Sequence, residues 1–296
     1  MKRPKIVGIG ELLWDMLPRG RRMGGAPVNF AFYAREEGAD AHVISAVGED
    51  EPGRELLDGI ARLGIGTSAV EHNARPTSTV DVELDAAGVP TYRIREEVAW
   101  DYIVRTAETD AVVADAAMIC WGSLAQRNAV SRASIGEIIV AAPEGCLRLF
   151  DINLRLDYYD ETVIRQSLEA ADILKLNEDE LPVVARCLSL GNNPEQAIRQ
   201  LLKRFALRYV IFTEGSRGSR ITAAGGETSY METPRVEVAD TVGAGDAFTA
   251  AFAVSLLKGL PLAACHRRAV EVAAFVCTQH GAITPLPEEG ILQTIR

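Results

Sequence analysis

The apolar positions of this chain fall into short continuous runs set between longer stretches of helical period. Lys5-Ile6-Val7-Gly8-Ile9-Gly10 is the first run, and His42–Gly48, Ala117–Trp121, Leu147–Asp151, Ile173–Leu176 and Tyr209–Thr213 follow it. Runs without polar alternation predict strands covered on both faces, as in a parallel sheet. Between them the spacing predicts helices from Pro27 through Ala34 ending near Gly38, over Pro52–Leu63 stopped by Gly64, over Arg127–Ala141, and near Glu161–Ala170. Such alternation implies a mostly parallel sheet with helices on both faces and ligands at the carboxyl ends of its strands. One stretch breaks the rhythm. Thr79–Asp85 alternates strictly, with Val80, Val82 and Leu84 on one face; Ala86-Ala87-Gly88 makes a turn, and Pro90–Arg95 alternates again. This predicts an antiparallel hairpin serving as a lid. A two-stranded ribbon cannot cover its own apolar face, so a ligand beneath it or a second copy of the lid in a dimer is expected to do so.

Ala247–Lys258 is apolar nearly all round and is stopped by Gly259 and Pro261, which predicts a buried helix. A second long helix, Pro261–Gln279, is closed by His280-Gly281. Ahead of the first stands Asp240-Thr241-Val242-Gly243-Ala244-Gly245-Asp246. Gly243 and Gly245 let the backbone turn tightly, and the first amides of a helix have no internal partners, so this tip is an anion site. As a plain N-cap, an aspartate would compete with an incoming anion for the same amides, which makes Asp246 a candidate base. Amides that hold developing negative charge, together with a carboxylate that takes a hydroxyl proton, are what phosphoryl transfer to an alcohol requires. The same residues also suit an N-capped core helix after a glycine turn, and the local sequence leaves both readings open.

Other junctions carry weaker signals. Gly8-Ile9-Gly10 lacks the third glycine of a dinucleotide fingerprint, and Gly48 to Gly53 has P-loop spacing but Arg54-Glu55 where Lys-Ser/Thr is needed. Met23-Gly24-Gly25-Ala26-Pro27-Val28-Asn29 points bare amides and Asn29 at one spot, or is an ordinary loop-to-helix junction. Asp151-Ile152-Asn153-Leu154-Arg155 places an amide and a guanidinium just past a strand. Asn177 with Glu180 reads as a capping box. Glu214-Gly215-Ser216-Arg217-Gly218-Ser219 reads as a glycine-rich hairpin turn.

The 296 residues are 48% hydrophobic and 24% charged, enough for a large core in one large or two ordinary domains. A formal net charge of −10 argues against a nucleic-acid partner. Cys120, Cys146, Cys187, Cys265 and Cys277 are far apart without a Cys-x-x-Cys pair, which suits buried thiols in a reducing compartment. His42, His72, His266 and His280 show no ligand spacing and read as structural. Glu11 and Asp15 interrupt the apolar run after the basic N-terminus, so no signal peptide is expected, and no segment approaches the roughly 20 apolar residues of a membrane span.

Asp240-Thr241-Val242-Gly243-Ala244-Gly245-Asp246-Ala247-Phe248 resembles the C-terminal signature of the ribokinase-like (PfkB) carbohydrate kinases, and five motifs in the family order extend the resemblance from Asp15 to Gly281. It implies one kinase domain over 1–296: a three-layer α/β/α fold with a mostly parallel central sheet and a small β lid from about 79–95 and about 11–22. It further implies that Asp246 is the catalytic base and that the amides of Gly243, Ala244 and Gly245 form the anion hole. Gly24, Gly25 and Asn29 would hold sugar hydroxyls with Asp15, joined by Asn153 and Arg155 of an Asp-x-Asn-x-Arg motif and by Tyr92 of the lid. Asn177 and Glu180 match an Asn-x-x-Glu motif associated with the magnesium and phosphate network, with Glu180 facing a hydrated Mg²⁺. Thr213, Gly215 and Gly218 resemble the nucleotide loop, Gly245 also meets the nucleotide, and the region of Gly281 walls the adenine pocket. Asp240 matches a position that binds a monovalent cation in some relatives, which leaves room for potassium activation.

The implied activity is transfer of the γ-phosphoryl of ATP to a primary hydroxyl of a sugar, in the cytoplasm, with sugar and ATP as small-molecule partners, no nucleic acid or membrane, and a homodimer through paired lids. Asn153-Leu154-Arg155 looks like the fructokinase and 2-keto-3-deoxygluconate kinase branch, because ribokinases usually carry a proline after that asparagine. A buried carboxylate sugar would want a bidentate arginine. Kinases of that kind tend to place one two residues after a lid tyrosine, where Ile94 follows Tyr92 here. The expectation is therefore a neutral ketohexose, D-fructose first, with 2-keto-3-deoxygluconate, ribose or a nucleoside as alternatives. An NAD-dependent oxidoreductase would need the broken glycine fingerprint to work, and a non-catalytic sugar-binding regulator would have no need of Asp246.

Overall fold

The structure is a computed structural model that describes residues 3–17, 20–84, 90–287 and 290–291; no side chain is described at residue 17 or from 81 to 92. β1 (Lys5–Ile9) lies inside the larger sheet, and β2 (Leu13–Leu17) and β3 (Gly20–Gly24) leave it before α1 (Ala26–Glu36), β4 (Asp40–Gly48), α2 (Glu51–Arg62) and β5 (Gly66–Asn73). After β6 (Ser78–Leu84) and β7 (Pro90–Ile94) come α3 (Ala107–Val113), β8 (Met118–Trp121), α4 (Ala129–Ala141), β9 (Leu147–Asp151), α5 (Glu161–Ala170) and β10 (Ile173–Asn177). Then follow α6 (Glu180–Leu188), α7 (Pro194–Arg204), β11 (Tyr209–Thr213), β12 (Ser219–Ala223), β13 (Thr228–Met231), α8 (Ala244–Leu257) and α9 (Leu262–Cys277).

The larger sheet has the order β13-β12-β11-β10-β9-β8-β1-β4-β5. Its strands are parallel from β11 through β5, and β12 and β13 are added antiparallel. Period-two alternation sorts its side chains between two cores. Val7, Ile9, Ile119, Trp121, Phe150, Leu174 and Leu176 pack with α3 to α7. Ile6, Met118, Cys120, Leu147, Leu149 and Ile173 pack with α1, α2, α8 and α9. The result is three layers, as expected. Because β4 and β8 flank β1 on opposite sides, chain direction diverges at the β1–β8 boundary, where open α/β sheets leave a crevice.

The smaller sheet has the order β3-β2-β6-β7, with β2 parallel to β6 and the other pairs antiparallel. The expected hairpin is therefore part of a four-stranded lid. Its turn at residues 86–88 and the side chain of Tyr92 lie outside the described residues. Val80 and Ile94 of the hairpin are buried with Leu13 and Trp100, and the side chains of Val82 and Leu84, on the face expected to need a ligand or a second lid as cover, lie outside the described residues. Trp14 ties the lid to α2, its Nε1 donating to the Pro52 carbonyl at 3.0 Å.

One helix start and one strand depart from expectation for local reasons. α4 begins at Ala129 because Asn128 caps it, accepting from the Val130 amide at 2.9 Å. Arg127 instead turns inward, its Nε and Nη2 donating to the two oxygens of buried Asp101 at 2.7 and 2.8 Å. β5 went unpredicted, since Gly66-Thr67-Ser68-Ala69-Val70-Glu71 carries little apolar signal; as an edge strand it pairs on one side only.

α8 lies between α1 and α9, and Ala247 to Ser255 are all buried. Truncating a fully buried ring leaves a cavity as well as lost contacts, so Phe252→Ala is expected to cost about 3–5 kcal/mol of unfolding free energy in urea titration. Val140→Ala, at a position 82% exposed, is expected to stay within about 0.5 kcal/mol.

Candidate active site

The tip of α8 is shaped by a glycine that nothing else can replace. Gly243 is its N-cap at φ +80°, and a Cβ there would lie 2.8 Å from Ala282 Cα. No side chain caps this helix, so the capped-core-helix reading of Asp246 does not describe it. Asp246 sits in the first turn, and its Oδ2 accepts from Asn29 Nδ2 at 2.8 Å. The Oδ1 of Asn29 is buried with no partner among the described residues. The amides of the first turn point outward from the helix, although that of Ala244 donates to the Thr241 carbonyl at 3.3 Å.

Asp246 faces a narrow cavity at the β1–β8 crevice, lined also by Glu11, Pro27, Trp121, Gly122, Asp151 and Asn153. Burial in this space, with Asp151 nearby, pushes the Asp246 carboxyl up to about 7. Glu11 follows β1, and its Oε1 accepts from Ala26, the first residue of α1, at 3.1 Å. Burial raises its carboxyl too, against the pull of that helix start and of Arg155 and Arg127. Asn153 holds a left-handed backbone at φ +43°. Arg155 is exposed, with Nη1 on the Leu154 carbonyl at 3.0 Å. The paired glycines have a steric reason: a Cβ on Gly24 would lie 2.4 Å from Asp15 Oδ2, and one on Gly25 2.3 Å from the Glu11 carbonyl oxygen. Burial lifts the Asp15 carboxyl to about 6. Gly8 is no dinucleotide turn, because β1 is followed by a lid strand and a Cβ on Gly8 would lie 2.6 Å from the Pro27 carbonyl oxygen.

On the other side of the α8 tip is a cleft of about 670 Å³. Ala244, Gly245 and Thr241 border it, with Asn177 to Asp179 after β10, Thr213 to Ser219 between β11 and β12, and Phe248, Val270, Ala273 and Cys277 as an apolar wall. The glycine-rich segment is thus a hairpin turn and a cleft wall at once. His266 braces it from behind, its ring nitrogens 2.7 and 2.8 Å from the Ser219 and Ser229 hydroxyls, and burial lowers its pKa to about 4.

Glu180 and Gly281 are placed differently from the rest. Asn177 Oδ1 accepts from the Glu180 amide at 2.9 Å, and Glu180 Oε2 accepts from the Asn177 amide at 2.8 Å, which is the reciprocal capping-box pattern. The other oxygen of Glu180 accepts from the Leu154 amide at 2.9 Å. Glu180 is buried in this brace and does not border the cleft, whereas Glu178 and Asp179 do. Gly281 does not border it either; its amide donates to Asp240 Oδ2 at 3.0 Å while Asp240 Oδ1 takes the Val242 amide at 3.0 Å. Among the described residues no three His, Cys, Asp or Glu side chains converge as a metal nest. A hydrated ion brought in on phosphates would meet Asp179 and the Glu178 carboxylate, one oxygen of which is paired with Arg217, since Mg²⁺ needs few protein ligands.

Sequence reading passed over Glu11, Lys175 and Thr249, and took no account of Asp151 as a charged group at the cavity. One signal was available: Lys175 interrupts an otherwise apolar strand.

The pfkB family carbohydrate kinase profile matches residues 19–289. A fructokinase of Klebsiella pneumoniae is 29% identical, over 98% of each sequence. The fructokinase of Xylella fastidiosa with bound ATP superposes at a TM-score of 0.85 and 25% identity, covering 98% of each chain. An uncharacterized sugar kinase of Pyrococcus horikoshii in complex with ATP superposes at 0.81 and 26% identity, covering 97% of each.

The close approach at Gly25 is testable against a neutral control. Gly25 and Gly226 both have positive φ, +114° and +89°, but a Cβ on Gly226 would meet nothing within 4 Å. Gly226→Ala is expected to cost about 1–2 kcal/mol. Gly25→Ala adds the collision with the Glu11 carbonyl and is expected to cost clearly more in the same urea titration; equal losses would remove the steric argument.

Proposed function

The chain belongs to the pfkB family of carbohydrate kinases and is an ATP-dependent sugar kinase, and on that premise we propose that it phosphorylates the terminal hydroxyl of a neutral ketohexose, D-fructose first. The observation that carries this reading is the division made by one helical turn: Asp246 faces the cavity while Ala244 and Gly245 border the cleft. The terminal hydroxyl of the sugar reaches into the cavity, whose space of about 20 Å³ admits a single group of that size, and ATP occupies the cleft. The hydroxyl gives its proton to Asp246 and its oxygen attacks the γ-phosphorus. As that P–O bond forms, the bond to the bridging oxygen of ADP breaks, and the α8 amides hold the charge on the transferred group. Glu178 and Asp179, which border the cleft, would hold a magnesium ion carried on the phosphates, which would offset their charge, and Glu180 would brace the Asn177 turn that presents them.

The choice of a neutral sugar rests on the cavity lining, which includes the carboxyls of Glu11, Asp151 and Asp246 and, among the described residues, no lysine or arginine. A carboxylate or phosphate sugar would meet like charge there and would depend on exposed Arg155. In the same reading Gly24, Gly25, Asn29, Asp15 and Asn153 orient sugar hydroxyls, with Tyr92 above them. The lid then closes over the sugar as part of a single kinase domain that works in the cytoplasm. Sugar should accordingly slow amide exchange in 78–84, 90–94 and 24–29, and unchanged exchange in all three would remove the lid from the reading. Pairing of lids gives a homodimer, which a monomer mass by light scattering would rule out. Asp240 gives a potassium site, which equal turnover in sodium and potassium would rule out.

A coupled ATP-consumption assay over fructose, 2-keto-3-deoxygluconate, ribose, tagatose and adenosine tests the substrate. Fructose is expected to have the highest kcat/KM, and a higher value for 2-keto-3-deoxygluconate would overturn the choice. Asp246→Asn is expected to lower kcat by about 10²-fold or more while nucleotide binding holds. Since the base works ionised, and its pKa is raised to about 7, the ionised form is lost as pH falls through that value. The kcat/KM for sugar should then drop about tenfold per pH unit below it.

A further inference from the structure

β9 and β10 are adjacent parallel strands, and their alternation sends one charged residue of each toward α8. Asp151 continues the face of Leu147 and Leu149, and Lys175 that of Ile173, all on the α8 side of the sheet, whereas Phe150, Leu174 and Leu176 face the other core. Lys175 Nζ donates to both oxygens of Asp151 at 3.0 and 2.9 Å, with the two residues 7% and 8% exposed. Thr249, one turn into α8, brings its Oγ1 to 2.8 Å from Asp151 Oδ2 and 2.9 Å from the Gly245 carbonyl oxygen. Lys175 Nζ also lies 3.4 Å from where a Cβ on Gly245 would stand, and Asp151 borders the cavity that holds Asp246. A buried ion pair contributes little to stability compared with well-packed apolar residues, so its position under the α8 tip calls for another explanation.

We propose that Asp151 and Lys175 are positioning residues of the transfer reaction, a buried ion pair whose two charges act in opposite directions on Asp246 and set its readiness to take a proton. Asp151 keeps the Asp246 carboxylate basic enough to accept the hydroxyl proton. Lys175 keeps it from being held protonated, and adds positive charge beneath Gly245 where the phosphoryl group arrives. The inference rests on the kinase reading and deepens it. The other groups around Asp246 are Asn29 and Tyr33 of α1, Cys120 of β8 and Arg155 past β9; Glu11 shares the cavity, and Glu180 stands near the pair. Burial pulls the Lys175 ammonium down, but Asp151, Glu180 and Asp246 together hold it above its ordinary value, so it is charged.

The test follows the Asp246 carboxyl directly, by ¹³C titration of the aspartate-labelled protein with the signal assigned from its loss in Asp246→Asn. Asp151→Asn is expected to lower the midpoint by about one pH unit or more, Lys175→Met to raise it by a similar amount, and the double variant to fall between them. The acid limb of kcat/KM for sugar should move in the same directions. A pair that only supports packing would shift neither midpoint, or both the same way, and either result overturns the proposal. If Lys175→Met does not fold, the double variant, with no unpaired charge, decides beside Asp151→Asn: equal midpoints in the two overturn the role of Lys175. Opposite shifts without turnover of any sugar would leave this coupling standing and remove the kinase reading of the site. Turnover without the shifts would do the reverse.

Discussion

A helix that is apolar on every side has to be covered on every side, and in this chain that constraint decides where the candidate site lies. α8 is covered by α1, α9 and the sheet from Ala247 to Ser255, and its N-terminal turn emerges at the carboxyl ends of the central strands, with Ala244 and Asp246 half-buried and Gly245 exposed. Gly243 supplies the left-handed residue that lets the chain turn into the helix there, with Ala282 packed where any Cβ would go. One side of the turn then looks toward β1, β8 and β9, and the other toward β10, β11 and α9. Two separate spaces, a cavity and a cleft, are a consequence of where the helix ends.

The crevice beside β1 concentrates negative charge in a small volume. Glu11, Asp151 and Asp246 share it, and Lys175, paired with Asp151, and the exposed Arg155 counter their charge. Burial pushes the Glu11 and Asp246 carboxyls toward the proton-bearing form, with Asp151 adding to the push on Asp246, and this is the condition a general base near neutral pH needs. The net charge of −10 gives no indication of this, because the local arrangement of five or so groups sets the chemistry. Above the crevice, the lid is built from a segment that leaves the sheet straight after β1 and from a hairpin far along the chain, joined where β2 and β6 run parallel.

Much was legible in the sequence because it is encoded locally. Unbroken apolar runs mark strands covered on both faces, and the expected bounds of β9, α5 and β11 coincide with those observed. The glycine-built entry to an all-apolar helix was readable for the same reason, as was the family, whose motifs are contiguous. The reciprocal bonds of Asn177 and Glu180 are also local, and they form as the spacing predicts.

What the sequence could not determine is which distant groups face one another. That Glu180 spends both oxygens on backbone amides, one of them Leu154 across a strand boundary, follows from β9 lying beside β10. That Arg127 leaves its predicted helix depends on Asp101 being buried within reach. The pairing of Lys175 with Asp151 beneath Gly245 needs strand order, register and the seat of α8 at once. Periodicity along a chain fixes the face on which a side chain lies, but only the packing of remote elements decides what stands opposite it, and the charge of a buried group depends on that neighbour.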